Sequence, residues 1–173
     1  MTQHRLYLQR KTPLLLVAAL GLGAAFPVLA ATTTTTFQVT ASVLDSCLVT
    51  ATDLAFGTYD PNSGGVLDGS SVITALCTAG TDYEIALDVG ANAADTSATT
   101  RAMIGEPGSF LEYELYSDAA RSSVWGDTSG SDTVAATGGL TGINLHTVYG
   151  QIPAAQYVAA DDYADTINVT ITY

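Results

Sequence analysis

The sequence predicts an all-β sandwich, and three observations carry this prediction. Several short runs alternate apolar and polar residues with the period of two that is typical of half-buried strands. Clusters of Gly, Pro, Asn and Asp separate these runs and supply the backbone freedom that tight turns need. After Ala31 no run shows a helical period, although 154–160 is compatible with a short turn. Many short strands joined by glycine-rich turns are typical of a sandwich.

The first thirty residues have the composition of a secretory signal peptide. Three cations within the first eleven residues precede an apolar stretch from Leu14 to Leu29, which ends in small residues before Ala31. Glycines and a proline interrupt this stretch, and it is shorter than the roughly twenty apolar residues that a membrane-spanning helix needs. We therefore predict a signal peptide at 1–30, in preference to a retained anchor, and export of the mature chain.

The mature chain is strongly acidic. Once the signal peptide is removed, Arg101 and Arg121 are the cations that remain against all 17 carboxylates. Such a charge repels nucleic acid and anionic lipid, which excludes both as expected partners. Solubility outside the cell explains the bias without an acidic binding site. The remaining length suits one domain with its own core.

The two cysteines, Cys47 and Cys77, both lie in the exported part of the chain. An oxidising compartment favours a disulfide between such a pair. A loop of this span contributes roughly 3 to 4 kcal/mol in the chain-entropy model. A redox or metal-binding pair is disfavoured, because the sequence lacks Cys-x-x-Cys spacing and a histidine nearby.

Alternation is clearest at the carboxyl terminus. It places four apolar side chains on one face of a predicted strand: Ile167, Val169, Ile171 and Tyr173. The runs 83–89 and 111–116 alternate in the same way. Two polar segments, 91–100 and 127–139, predict surface loops.

The first residues of the mature chain form an uncharged, β-prone segment. Five threonines, Thr32 to Thr36, precede an alternating row of apolar residues: Phe37, Val39, Ala41 and Val43. Threonine is β-branched and enters strands readily, so the threonine run suits either a strand or a disordered spacer. From the residues alone, 31–43 is either a first strand of its own domain or an extension that pairs elsewhere.

Residues for catalysis are scarce. The mature chain has one histidine, His146, no lysine and no Gly-x-Ser-x-Gly motif. Glu112 and Glu114 share a predicted strand face that is expected to be solvated, and the aspartates of 161–165 lack the ligand spacing of a calcium loop. We expect no catalytic residue, cofactor, metal or small-molecule substrate, and the chain is not expected to be an enzyme.

Eight short motifs follow one another along the mature chain. They are Phe37-x-Val39-x-Ala41 before Cys47, Leu54-x-Phe56-Gly57-x-Tyr59, Cys77-Thr78-x-Gly80 with Tyr83, Leu111-x-Tyr113-x-Leu115-Tyr116-x-Asp118, Arg121, Trp125-Gly126, Val148-Tyr149-Gly150-x-Ile152-Pro153 and Tyr163-x-Asp165. Their order and spacing together resemble the spore coat protein U domain family, which includes subunits of archaic, Csu-type chaperone-usher pili. The resemblance covers nearly the whole mature chain, with Asp161-Asp162 as a departure where the pattern has glycine.

The resemblance implies an incomplete immunoglobulin-like β-sandwich, 44–173, that lacks its last strand and is completed by donor-strand exchange. A periplasmic chaperone and an outer-membrane usher would assemble identical or related pilin subunits into a surface pilus that supports adhesion and biofilm. The donor strand would be 31–43, and the side chains that insert into the groove would be those of Phe37, Val39, Ala41 and Val43. The acceptor edge would be the last strand, because the sequence ends there without residues to cover it.

Two other functions remain open at this stage. One is a secreted structural protein of a spore-coat type. The other is a lectin-like sandwich in which Trp125, Tyr113 and Tyr116 contact sugar.

Overall fold

The computed structural model describes residues 30–93, 101–106 and 108–173. The predicted signal peptide, apart from Ala30, and most of the predicted loop 91–100 lie outside the described residues. The chain divides into two units, Met1–Thr40 and Ala41–Tyr173. In the first unit, Ala30–Thr40 forms neither helix nor strand, and its side chains are exposed.

The second unit is built from strands. Within the described residues there are nine, and no helix long and apolar enough to cross a membrane. The strands are β1 Cys47–Ala51, β2 Leu67–Cys77, β3 Asp82–Leu87, β4 Ala102–Ile104, β5 Phe110–Glu112, β6 Glu114–Tyr116, β7 Val134–Thr137, β8 Ile143–Ile152 and β9 Val169–Thr172.

All strand pairs are antiparallel. One sheet has the order β1-β2-β8-β6, a second has the order β7-β3-β9, and β4 pairs with β5. The long central pair, β2 with β8, is in register from Leu67 opposite Ile152 to Leu76 opposite Ile143. The predicted all-β sandwich is therefore confirmed.

The core lies between the two larger sheets. Alternate residues of β2, β3 and β8 point inward, and the buried side chains include Ile73, Ile85, Leu87 and Val148. Each contributes about 1.5 to 3 kcal/mol when its apolar surface leaves water. Trp125 is 1% exposed, and its indole Nε1 donates to the Ile85 carbonyl at 2.9 Å.

A buried cation fixes the end of β3. The Arg101 guanidinium donates to the carbonyl oxygens of Leu87, Asp88 and Trp125, over distances of 2.7 to 3.0 Å. Burial lowers the pKa of Arg101 because it disfavours the charged form. The three carbonyls compensate for lost hydration, and they connect the start of β4 to β3 and to the Trp125 segment.

The cysteines are joined in a Cys47–Cys77 disulfide, with the Cα atoms 4.1 Å apart. Cys47 and Cys77 also lie opposite each other in the β1–β2 ladder, so the bond links two paired strands.

Leu111, Tyr113 and Leu115 are all buried, as their alternation predicts. The run 111–116 is nevertheless divided, since β5 pairs with β4 whereas β6 pairs with β8 in another sheet. One prediction about the elements was wrong. The predicted loop 127–139 contains β7, which pairs with β3 and packs Val134 and Ala136 against the core. Pairing and burial outweigh the polar composition there.

Candidate functional site

A groove of about 440 Å³ lies between the two larger sheets, beside β1 and β9. One wall is the segment from Ala51 to Phe56, which continues from β1. The other wall is the segment from Tyr163 to Val169, which leads into β9. Both walls belong to the sandwich unit, Ala41–Tyr173.

A pair of glycines positions the first wall. Gly69 of β2 lies directly opposite Gly150 of β8, and Leu54 and Phe56 pack over both. A Cβ atom at Gly150 would lie 2.7 Å from the Phe56 ring, closer than a side chain tolerates. The missing side chains therefore let the wall lie against the sheet, and the Phe56 ring meets the edge of Tyr113, with centroids 6.1 Å apart.

The second wall is held by backbone and side-chain hydrogen bonds. Ile104 of β4 and Ala164 form an isolated antiparallel bridge, in which the Ile104 N–H donates to the Ala164 carbonyl at 3.0 Å. The Tyr163 hydroxyl donates to the Ala159 carbonyl at 2.8 Å. Gly105 leaves room for the Tyr163 ring, since a Cβ there would be 2.9 Å from it.

A polar cluster anchors the same wall from inside. The Tyr113 hydroxyl donates to one carboxylate oxygen of Asp165 at 2.7 Å, and the Ala91 N–H and the Asn92 amide donate to the other at 3.0 and 2.9 Å. Burial and the neighbouring carboxylate raise the pKa of Tyr113, so the phenol stays protonated and keeps donating. The Asp165 charge is thus satisfied by three donors within the fold.

The groove offers an apolar surface and unpaired strand edges. Its floor consists of side chains from both sheets: Ile73, Leu87, Leu115 and Val148. In the described part of the chain, β9 pairs with β3 on one side and ends its sheet on the other, as β1 does beside β2. Some residues of β1 and β9 come within 8 Å, Cα to Cα, which is less than the distance of about 9.6 Å between two strands that flank a third, so an added strand would move the two edges apart there. A slot of this kind suits an added strand, because free N–H and C=O groups face an apolar surface.

The structure brings part of the predicted acceptor edge into the groove. Ile167 and Val169 line it, and Ile171 is half-buried against the core. Tyr173 instead lines a shallow depression across β7, β3 and β9. Ile167 and Tyr173 lie just outside β9, which spans Val169–Thr172.

The predicted donor residues are exposed and lie outside the strands. Phe37 is 86% and Val39 is 84% exposed, and Ala41 and Val43 are exposed as well. Most of the groove lining was not assigned to it from the sequence, including Leu54, Phe56, Met103 and Tyr163. The sequence did carry a signal for Leu54 and Phe56, because these apolar residues occupy alternate positions just after β1, but they form no strand.

The residues considered for other chemistry are placed elsewhere. The Tyr83 hydroxyl and His146 Nε2 are 2.9 Å apart, and burial lowers the pKa of His146. The described residues contain no group of three His, Cys, Asp or Glu side chains that could hold a metal ion. The aromatic residues of the lectin-like alternative, Trp125, Tyr113 and Tyr116, are all buried and expose little ring surface to a sugar.

The fold is shared with a solved pilus protein. A chain in the pre-assembly complex of the chaperone CsuC and the tip adhesion subunit CsuE, from archaic chaperone-usher Csu pili of Acinetobacter baumannii, superposes with a TM-score of 0.58 and 22% sequence identity. The match covers 76% of this chain and 40% of that chain, so this protein spans less than half of its solved relative.

Sequence comparison gives a family. Protein U of Myxococcus xanthus is 34% identical over 172 residues, which cover 90% of this chain and 93% of the relative. The model of the Spore Coat Protein U domain matches residues 33–170. This chain therefore belongs to the Spore Coat Protein U domain family.

Proposed function

We propose that this protein is a structural subunit of a surface pilus, assembled by the chaperone-usher route through donor-strand complementation. Residues 31–43 of one copy fill the groove between β1 and β9 of the next copy, identical or related. The observation that carries the proposal is the groove itself, an apolar slot bordered by the free edges of two strands. Export through the periplasm and a role in adhesion and biofilm are parts of the same proposal.

The donor segment has the chemistry that the groove needs. Phe37, Val39, Ala41 and Val43 recur every second residue, so they fall on one face of a strand about 6.6 Å apart. Burial of Phe37, Val39 and Val43 contributes roughly 1.5 to 3 kcal/mol each, and each ladder hydrogen bond adds about 0.5 to 1.5 kcal/mol net. Because these side chains are exposed in the single chain, they are free to enter a neighbour.

The groove also accounts for the assembly partners. Before a donor arrives, an open apolar slot favours aggregation. A periplasmic chaperone that occupies the slot prevents this, and an outer-membrane usher exchanges the chaperone for the next donor. The solved relative is itself part of a chaperone–subunit complex, which supports this partner assignment. The role is assembly, with neither nucleic acid nor a small-molecule substrate as a partner.

A second candidate is a secreted coat-like assembly. The identity of 34% to Protein U over nearly the full length favours it. The groove and the donor would work in the same way, and the product would be a surface layer instead of a filament. Electron microscopy of material sheared from cells distinguishes the two, since filaments support the pilus and amorphous sheets support the coat.

A charge in the donor tests the mechanism. Val39→Asp places a carboxylate among the apolar groove walls, and Gln38→Asp places the same charge one residue away on the opposite strand face. On gels of unheated surface extracts, we expect the parent and Gln38→Asp to give a polymer ladder that collapses on heating in denaturant, and Val39→Asp to give none.

Two results would contradict the proposal. A normal ladder from Val39→Asp refutes the donor assignment. Equal loss of the ladder in both variants shows that a charge on either face of the segment blocks assembly. The claim that one face of the donor strand enters the groove would then be unsupported.

A further inference from the structure

The outer face of the four-stranded sheet has an apolar area near one end of the sandwich. Leu48, Leu76 and Ile143 lie side by side in register across β1, β2 and β8, and all three are exposed. Exposed leucines surround this row, and Leu140 is 99% exposed. The exit patch is defined as Leu44, Leu48, Leu76, Leu140, Ile143 and Leu145.

The exit patch is free of charge in a chain that carries 17 carboxylates. The neighbouring outward positions on β1 and β2 are Thr50 and Thr74, which are also uncharged. On the strands beneath the patch, carboxylates return towards the other end of the sheet, at Asp68 and Glu114. Asp45, which follows Leu44, is exposed and accepts a hydrogen bond from the Thr81 hydroxyl. Two acidic copies can therefore meet at the exit patch with few of their charges opposed.

The exit patch includes Leu44, the point where the donor segment leaves the sandwich. The Thr78 N–H donates to the Ser46 carbonyl at 2.9 Å, and its hydroxyl donates to the Leu44 carbonyl at 3.2 Å. The Thr81 hydroxyl donates to Asp45 at 3.0 Å, and the disulfide begins at Cys47. Residues 44–47 are thus fixed beside Leu48 and Leu76, one residue after the end of the donor segment.

We propose that the exit patch is a contact surface for a second copy of this chain, the copy whose groove receives residues 31–43. This inference rests on the proposed function. Once the donor is inserted, its neighbour is held within a few residues of Leu44, at an effective concentration of about a millimolar or more. At that concentration a small apolar surface is sufficient for contact, although it would not hold two free copies together. The contact fixes the angle between successive subunits.

The test removes apolar surface from the exit patch without touching the groove. Leu48→Thr with Ile143→Thr places strand-forming, β-branched threonine at both positions, and Leu140→Ser changes a fully exposed turn residue. Val66→Thr is the control, because Val66 is exposed outside the patch. For each fibre we would measure the unheated gel ladder and the persistence length by electron microscopy.

We expect all variants to keep the ladder, with the persistence length of both patch variants reduced by about half or more and that of Val66→Thr unchanged. The inference is overturned if intact ladders accompany parent-like stiffness, or if Val66→Thr softens the fibre equally. It is also overturned if the patch variants lower the yield of folded subunit but assemble into stiff fibres, since this indicates a chaperone contact. Absence of a ladder in the parent overturns the proposed function, and the inference with it.

Discussion

The groove and the exit patch are both apolar, but they differ in shape and in backbone. The groove is concave, its walls and floor come from both sheets, and the free edges of β1 and β9 border it. The exit patch lies on the outer face of a single sheet and the two chain segments beside it that carry Leu44 and Leu140, and the strands beneath it, β1, β2 and β8, are already paired with one another.

This difference separates two kinds of association. A surface with free strand edges binds a strand, and main-chain hydrogen bonds then add to side-chain burial. A surface over paired strands offers side chains alone, so its contacts are weaker and depend on tethering. We infer that the groove determines whether subunits join and the exit patch determines the angle at which they join.

The largest effect in this series is expected from the disulfide, which lies near the exit patch and outside the groove lining. Replacing Cys47 and Cys77 with Ala should lower the free energy of unfolding by about 2 to 4 kcal/mol. The guanidinium concentration that collapses the unheated ladder should fall, while the ladder still forms in its absence. Reducing agent should reproduce the loss in the parent and leave the variant unchanged; a variant that remains sensitive to reduction would contradict this explanation.

A smaller effect, confined to the groove, is expected from Gly150→Ala. The added Cβ meets Phe56 and Leu54 and pushes them towards the donor position, with an overpacking cost of about 1 to 3 kcal/mol. Gly65→Ala is the matched control, because nothing lies within 4 Å of its Cβ position. The ladder of Gly150→Ala should collapse at a lower guanidinium concentration with fibre stiffness unchanged. Equal collapse in Gly65→Ala would show that the groove is not the cause.

The smallest effect is expected from protonation of His146, which lines neither the groove nor the exit patch. Burial lowers its pKa, so below a pH of about 6.5 the unfolded chain binds a proton more readily than the folded chain, and stability falls as the pH drops. The groups facing the ring include Tyr83, whose own pKa is raised by burial. His146→Gln should flatten the decrease in ladder stability between pH 7 and about pH 5; an unchanged pH profile would assign that decrease to carboxylates.

Alternation in the sequence predicts strands where one face is buried and the other is polar. It locates β3 and β9, and it places Ile167, Val169 and Ile171 on the half-buried face. It does not locate β2 and β8, although these are the longest strands. Both carry apolar residues on the inner and the outer face, such as Ile73 and Leu76 on β2. The two faces therefore do not differ in polarity, and the alternation that identifies a strand is absent.

The groove was predictable on one side only. Ile167 and Val169 follow from their period, whereas Leu54 and Phe56 take their positions from two glycines that are adjacent only because β2 and β8 pair in one register. The polar segment around β7 was missed because β3 supplies a partner that composition does not reveal. Local pattern thus predicts elements, and long-range pairing builds the site.

The Cys47–Cys77 disulfide also gives the proposed fibre a route for mechanical load. Pulling on the donor segment acts first on residues 44–47, and the disulfide transfers the force from there to the end of β2. From Cys77 the load runs along β2, which is paired with β8 over ten consecutive positions, so many ladder hydrogen bonds carry it together in shear. Tension that enters a subunit at residues 44–47 would therefore reach its longest ladder before it passes to the groove, where the donor of the neighbouring subunit would be held.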